Sequence, residues 1–275
     1  MRAFFYVLKL KGGETVALFE VNNLSLEIGG AQILDSLTFQ IEKGSFTCII
    51  GPNGAGKSSL LACMGGLNRA FGGTVLLDGR SLASMSEKET ARRIAWLHQS
   101  GSDFLPFAVR EFAAMSRYPW HNSFAGAAAE DEQIVDNALK TAGVSELADR
   151  KLNTLSGGEC RRALLAAALA QGTDILFLDE PANFLDYKYQ EELLALVEKI
   201  NREQGVTVVC VTHDANFALH CADCILAVKS GRLVWSGDSD SLLSQKALAR
   251  LFETEFAEFK SGGRTVCVAP EGLLR

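Results

Sequence analysis

The sequence predicts an α/β fold with a mostly parallel sheet covered by helices, and three observations carry that expectation. The apolar run Ser45–Ile50 leads directly into a glycine-rich loop and then a helical pattern, the order that phosphate sites require. From Ser156 onward helix and strand patterns alternate: a helix to Ala170, strand Ile175–Leu178, helix Tyr189–Asn201, strand Thr207–Val211 and helix Asn216–His220. Ahead of the loop, the strand-like runs Phe19–Leu26 and Leu34–Ile41 flank Gly29-Gly30 and predict an antiparallel pair, an N-terminal β-subdomain.

Residues 1–18 form an N-terminal extension, weakly strand-like through Phe4–Leu10. The main domain spans 19–250, and 251–275 form a tail packed on it. Within the domain, Gly73–Leu77 and Arg93–Leu97 are candidate strands, and Val109–Met115 and Asp131–Ala142 are candidate helices. The stretch from about 100 to 157 is rich in helix formers and reads as an inserted helical subdomain.

Composition bounds the function. The chain has 275 residues, 48% apolar and 22% charged, an ordinary globular mixture large enough to bury a core. Its net charge of −6 gives no electrostatic footprint for nucleic acid, and no nucleic-acid partner is expected. The longest uninterrupted apolar run, Ala163–Ala170, is far short of the ~20 residues of a membrane span. Ala3–Leu8 is too short for a signal-peptide core, so a cytoplasmic protein is expected. The odd count of seven cysteines fits reduced thiols, and Cys221 and Cys224 read as core-packing thiols at a helix-to-strand junction rather than a metal or redox pair.

The chemistry concentrates in a few segments. Gly51-Pro52-Asn53-Gly54-Ala55-Gly56-Lys57-Ser58-Ser59 fits G-x-x-x-x-G-K-[ST]. Its glycines let backbone N–H groups converge on phosphate oxygens, Lys57 reaches the β- and γ-phosphates, and the Ser58 hydroxyl ligates Mg²⁺. Ile175–Leu178 ends in Asp179 and Glu180, at the strand end where ligands of open α/β sheets bind. Asp179 is a candidate Mg²⁺ partner and Glu180 a candidate base for the attacking water; the alternative is a pair of solvated strand caps. His213, after the strand that ends at Val211, is placed to contact the γ-phosphate. Gln99, taken alone, reads as a surface residue.

Leu155-Ser156-Gly157-Gly158-Glu159 opens a further helix, with Ser156 as its N-cap and two glycines baring the amides. With this segment the chain resembles the nucleotide-binding subunits of ABC transporters, over about residues 19 to 240. The resemblance implies a P-loop NTPase cassette with ATP and Mg²⁺ as cofactors. It makes Gly51–Ser59 the Walker A loop, Asp179 and Glu180 the Walker B aspartate and catalytic glutamate, and Gln99 the Q-loop residue that touches Mg²⁺. Asp186 becomes the D-loop aspartate, His213 the switch histidine, and Leu155–Glu159 the signature that closes over ATP held by a second copy. The partners it implies are that second copy, in a head-to-tail dimer, integral-membrane permease subunits and, indirectly, an external substrate-binding protein. The location it implies is the cytoplasmic face of the membrane.

Some positions depart from the family pattern. Ile28 stands at the adenine-stacking position, where an aliphatic side chain packs without π-stacking. His98, Cys160 and Ala167 replace a common proline, a polar or basic residue, and a frequent arginine. The stretch LPFAVREFAAMSRYPW, residues 105–120, and the tail ending in GRTVCVAP are similar to the ATPases of iron-siderophore, haem and cobalamin importers, with Ser116 in place of that group's glycine. Phe104, Leu105, Phe107 and Trp120 read either as part of a permease-docking groove or as core of the helical lobe. Competing readings are an ABC ATPase that moves no solute, or an ABC subunit for another solute. Too few residues lie between Gln99 and Leu155 for the long coiled coil of chromosome-maintenance factors, and only one cassette is present.

Overall fold

Strand β1 (Ala17–Ile28) pairs antiparallel with β2 (Ala31–Glu42) across Gly29-Gly30, whose positive φ values of 59° and 81° suit a tight hairpin. In this computed structural model the described residues are 17–98, 106–121, 129–261 and 264–269. Gln99, Phe104, Leu105 and almost all of the N-terminal extension lie outside them; β1 takes up the extension's last two residues. The described residues form two units, one up to Met85 and from Val209 onward, the other within Ser86–Val208.

The first unit begins with that hairpin. Alternation of apolar residues buries Phe19, Val21, Leu34 and Phe39, as a half-buried antiparallel pair requires. Strand β3 (Phe46–Ile50) is buried throughout and runs through the glycine-rich loop into helix α1 (Lys57–Met64). Strand β4 (Gly72–Leu77) adds antiparallel to β1, and the short β5 (Arg80–Ser81) closes a four-stranded antiparallel sheet.

In the second unit, α2 (Glu87–Ala91) carries a capping box of Ser86 and Glu89. Next come β6 (Ile94–Leu97), α3 (Val109–Met115), α4 (Ala129–Thr141) and α5 (Gly157–Ala170). Val109, Ala113, Val135, Leu139, Ala163 and Ala166 make the helical core, in which alanines on α5 allow close helix approach. Burial of a full side chain such as Leu139 contributes about 1.5–3 kcal/mol. Strand β7 (Ile175–Asp179) pairs parallel with β6, and α6 (Tyr187–Gln204) follows, ending at Gly205 in the left-handed conformation that stops helices.

The segment Arg117-Tyr118-Pro119-Trp120 is anchored by one buried cation. Arg117, 8% exposed, pairs with Asp131 at 2.8 Å and donates to the carbonyls of Ala170 and Gln171, which end α5. Trp120 donates to the same Gln171 carbonyl, and the guanidinium groups of Arg92 and Arg117 face its ring. Trp120 is still 39% exposed and Tyr118 73%.

Strand β8 (Thr207–Thr212) begins in the second unit and ends in the first. Helix α7 (Ala215–Cys221) and β9 (Cys224–Lys229) follow, β9 pairing parallel with β3 and antiparallel with β10 (Arg232–Gly237). The chain continues through α8 (Ser239–Ser244) and α9 (Ala247–Phe252) to a hairpin of β11 (Ala257–Ser261) and β12 (Arg264–Val268). The parallel pairs flanked by helices and the separate antiparallel sheet are the α/β architecture read from the sequence. None of the seven cysteines is in a disulfide and all are buried, Cys221 ending α7 and Cys224 starting β9. No helix among the described residues is long and apolar enough to cross a membrane.

Candidate functional site

In the first unit the glycine-rich loop is held by backbone it nearly touches. A Cβ on Gly51 would stand 2.0 Å from the Val228 carbonyl oxygen, and one on Gly56 would stand 2.8 Å from Leu34 Cδ2 and 2.9 Å from the Ile33 oxygen. Gly231, in the β9–β10 turn, donates its N–H to the Ala55 carbonyl at 3.0 Å, and Asp35 donates to the Gly231 carbonyl at 2.8 Å. The loop is therefore clamped between two hairpins. Its outer face is open: Asn53 and Gly54 are exposed, and nothing lies within 4 Å of a Cβ placed on Gly54.

Lys57 is buried, and its ammonium donates to the carbonyls of Gly51 and Pro52 at 2.9 and 3.0 Å. The charge is thus centred on the loop rather than extended into solution. Helix α1 starts at Gly56, in the left-handed conformation, with no capping side chain and no acidic residue in its first turn. A loop of main-chain amides, a centred ammonium and an uncapped helix start suit a polyphosphate. Ser58 is exposed on the first turn of α1.

His213 is exposed where β8 ends, between Thr212 and Asp214. The Asp214 N–H donates to the Thr212 hydroxyl at 3.0 Å, while the Asp214 carboxylate caps α7 through the N–H groups of Asn216 and Phe217. Ile28 ends β1 and is 53% exposed.

The second unit holds the remaining described residues. Asp179 is the last residue of β7, and Glu180 follows, 8% exposed and at φ +49°. That left-handed backbone is uncommon outside glycine and costs roughly 1–3 kcal/mol when the surroundings enforce it. Here the turn beyond Glu180 is pinned: Asn183 donates to the Glu180 carbonyl, and Gln190 of α6 donates to the carbonyls of Ala182 and Leu185. Asp186 begins α6 at the N-cap position.

Ser156 caps α5 reciprocally with Glu159. The Glu159 carboxylate accepts from the Ser156 N–H and hydroxyl, each at 2.8 Å, and these bonds, the main-chain one foremost, hold its carboxyl below the usual range. A Cβ on Gly158 would stand 2.6 Å from Tyr189 Cδ1, and one on Gly157 would lie 3.6 Å from Leu185. The structure therefore brings the 155–159 segment against the start of α6, beside Asp186. The sequence reading does not anticipate Tyr189 or Gln190; an aromatic residue and an amide early in an exposed helix were the available signals.

His98 is the last described residue before Gln99. It stacks on Trp96 at 5.0 Å, and its carbonyl accepts a hydrogen bond from Arg161 of α5. Burial lowers its pKa, partly offset by the Asp179 carboxylate. Arg161, like Tyr189 and Gln190, is a neighbour of the candidate residues that the motifs do not announce.

The family model for ABC transporters matches residues 34–183. The chain is 38% identical over 239 residues to the ferric enterobactin transport ATP-binding protein FepC of Escherichia coli (strain K12), covering 87% of this chain and 88% of that one. Among solved structures it is similar to one reported as an inward-facing metal-chelate type ABC transporter, with a TM-score of 0.81 and 27% identity over 94% of this chain and 99% of the other. A dimeric ATP-binding cassette bound to ADP and phosphate matches with a TM-score of 0.69 and 28% identity, covering 80% of this chain and 98% of the cassette. A family match over more than half of the chain, joined to a relative alike along nearly its whole length, makes the kinship plain: the chain belongs to the ABC transporter family, as an ATP-hydrolysing subunit.

Proposed function

We propose that this protein powers an importer of ferric siderophores or closely related metal chelates, hydrolysing ATP at the cytoplasmic face of a membrane that its permease partners span. The observation that carries the reading is the likeness to the ferric enterobactin ATPase across 87% of the chain. An external substrate-binding protein delivers the chelate to the permease, and residues 105–120 with Trp120 are the docking region on this subunit.

The proposed site work divides as follows. Loop amides of Gly51–Ser59 and the Lys57 ammonium bind the phosphates and orient the γ-phosphoryl group. Ser58, Asp179 and Gln99 would hold Mg²⁺, a hard cation suited to hydroxyl, carboxylate and amide oxygen. Mg²⁺, when bound with the nucleotide, neutralises charge that develops on the phosphate oxygens. Glu180 accepts the proton of the attacking water, and His213 hydrogen-bonds the γ-phosphate. Two copies pack head to tail, so that Ser156–Glu159 of each, with Asp186 near by, completes the ATP site of the other; the dimeric relative supports this.

Replacing Glu180 with Gln keeps the shape and removes the base. ATP binding should persist, turnover should fall by about 10²–10⁴-fold, and an ATP-dependent dimer should accumulate on size exclusion. Turnover near the parent rate removes Glu180 from its role. The cargo is tested by deleting the gene and following uptake of ferric siderophore, haem and cobalamin. Loss confined to the ferric siderophore is expected, and undiminished uptake of all three refutes the metal-chelate assignment.

A further inference from the structure

The C-terminal hairpin is bound to the main domain by an unusual contact. The Asn216 side chain reads both main-chain groups of Cys267 on β12: its Nδ2 donates to the Cys267 carbonyl at 3.0 Å, and its Oδ1 accepts the Cys267 N–H at 2.7 Å. The orientation of the amide is forced, because a main-chain N–H only donates and a carbonyl only accepts. The side chain thus acts as one more strand residue on the free edge of β12, whose other edge pairs with β11.

Asn216 lies on the first turn of α7, three residues after His213. That turn is fixed on two further sides. The Asp214 carboxylate caps it, and Phe217 packs edge-on against Phe46 of β3 at 5.9 Å. Helix α7 has only seven residues, too few to hold its own first turn in water. The His213 backbone is therefore held between the end of β8 and the first turn of α7, and the hairpin supplies one of the grips on that turn.

We propose that the hairpin 257–268 clamps the His213 turn, with Asn216 as a positioning residue for ATP hydrolysis. The inference rests on the reading of His213 as the γ-phosphate contact. It gives the tail a role in turnover, and a ligand or partner that draws β12 off α7 would slow the ATPase without touching nucleotide.

The test is a double-substitution cycle in the full chain, measuring steady-state ATPase activity. Asn216→Ala should lower kcat about tenfold while the KM for ATP and the thermal midpoint change little, and exchange of the Cys267 amide should accelerate. In a His213→Ala background the same substitution should cost nothing more, because its effect runs through the histidine. An unchanged kcat in Asn216→Ala, or equal losses in both backgrounds, overturns the clamp. A His213→Ala protein with parent activity instead refutes the underlying role of His213, a separate outcome read from the single variant. Should Asn216→Ala fail to fold, Asn216→Asp retains the acceptor for the Cys267 N–H and removes the donor; a loss of about threefold, absent in the His213→Ala background, is expected. Parent kcat in that variant overturns the proposal.

Discussion

Two helix starts in this chain carry glycines and belong to the segments proposed to meet ATP, yet they are built in opposite ways. Helix α1 begins at a left-handed Gly56 with no side-chain cap and no acid in its first turn. Helix α5 begins with a complete capping box, Ser156 and Glu159 satisfying each other. Free amide donors at a helix start cost stability in isolation but attract anions, whereas a capping box secures the helix and puts a carboxylate where an anion would approach. Under the proposed function, the first start binds phosphate within its own subunit. The second is secured by its own side chains, its Ser156 hydroxyl already donating to Glu159; under the proposed head-to-tail packing it would offer a phosphate on the other subunit only its glycine backbone, tempered by one negative charge.

Substitutions separate the two designs. The largest effect is expected from Gly56→Ala, because φ of +96° is strained for alanine and the new Cβ would meet Leu34 and the Ile33 carbonyl. ATP binding should be lost and the thermal midpoint should drop, by a destabilisation of about 2–4 kcal/mol. Gly158→Ala comes next: its Cβ would collide with the Tyr189 ring, and α6 carries both that ring and the grip on Leu185. ATP affinity of the single subunit should be kept while turnover falls about 10–100-fold, and Tyr189→Ala in the same chain should restore part of it. Full activity of Gly158→Ala would show that the packing there is loose.

Smaller effects test the cap itself. Ser156→Ala should destabilise the second unit by about 1 kcal/mol, read by chemical denaturation. At neutral pH Glu159→Gln should destabilise the second unit less than any of the substitutions above, and it should tighten ATP-dependent dimerisation modestly, since the carboxylate becomes neutral. Folding lowers the Glu159 carboxyl pKa, so its stabilisation is present above the ordinary carboxylate range and is lost as pH falls through the lowered value. Melts of the parent and the Gln variant should therefore converge on acidification. A constant gap between them would mean that the cap contributes nothing through its charge.

Much of the architecture was legible because periodicity and glycine chemistry act locally. The β1–β2 hairpin, the loop into α1 and the buried β7 followed from alternation, from positive-φ positions and from four consecutive apolar residues. The helix expected from Tyr189 to Asn201 begins two residues earlier and ends three later, after Asp186 and before Gly205, stop signals weaker than the apolar stripe between them. The β9–β10 hairpin was not read, although Ser230 and Gly231 both hold positive φ, as a two-residue turn demands. Within the site, residue types announced the phosphate loop and the carboxylates. The partners that fix them were hidden, because Gly231 on the loop, Tyr189 on Gly158, Arg161 on His98 and Asn216 on Cys267 are contacts between segments remote in sequence.

The seven buried thiols have a practical consequence. Burial raises Cys63 to about 11 and Cys224 to about 12 and also pushes up Cys48 and Cys267, so at neutral pH their nucleophilic thiolate forms are scarce. A single cysteine introduced on the surface, at Lys188 for instance, should outcompete all of them for a maleimide dye. Fluorescent reporters of subunit approach can therefore be placed without first stripping the chain of its native cysteines.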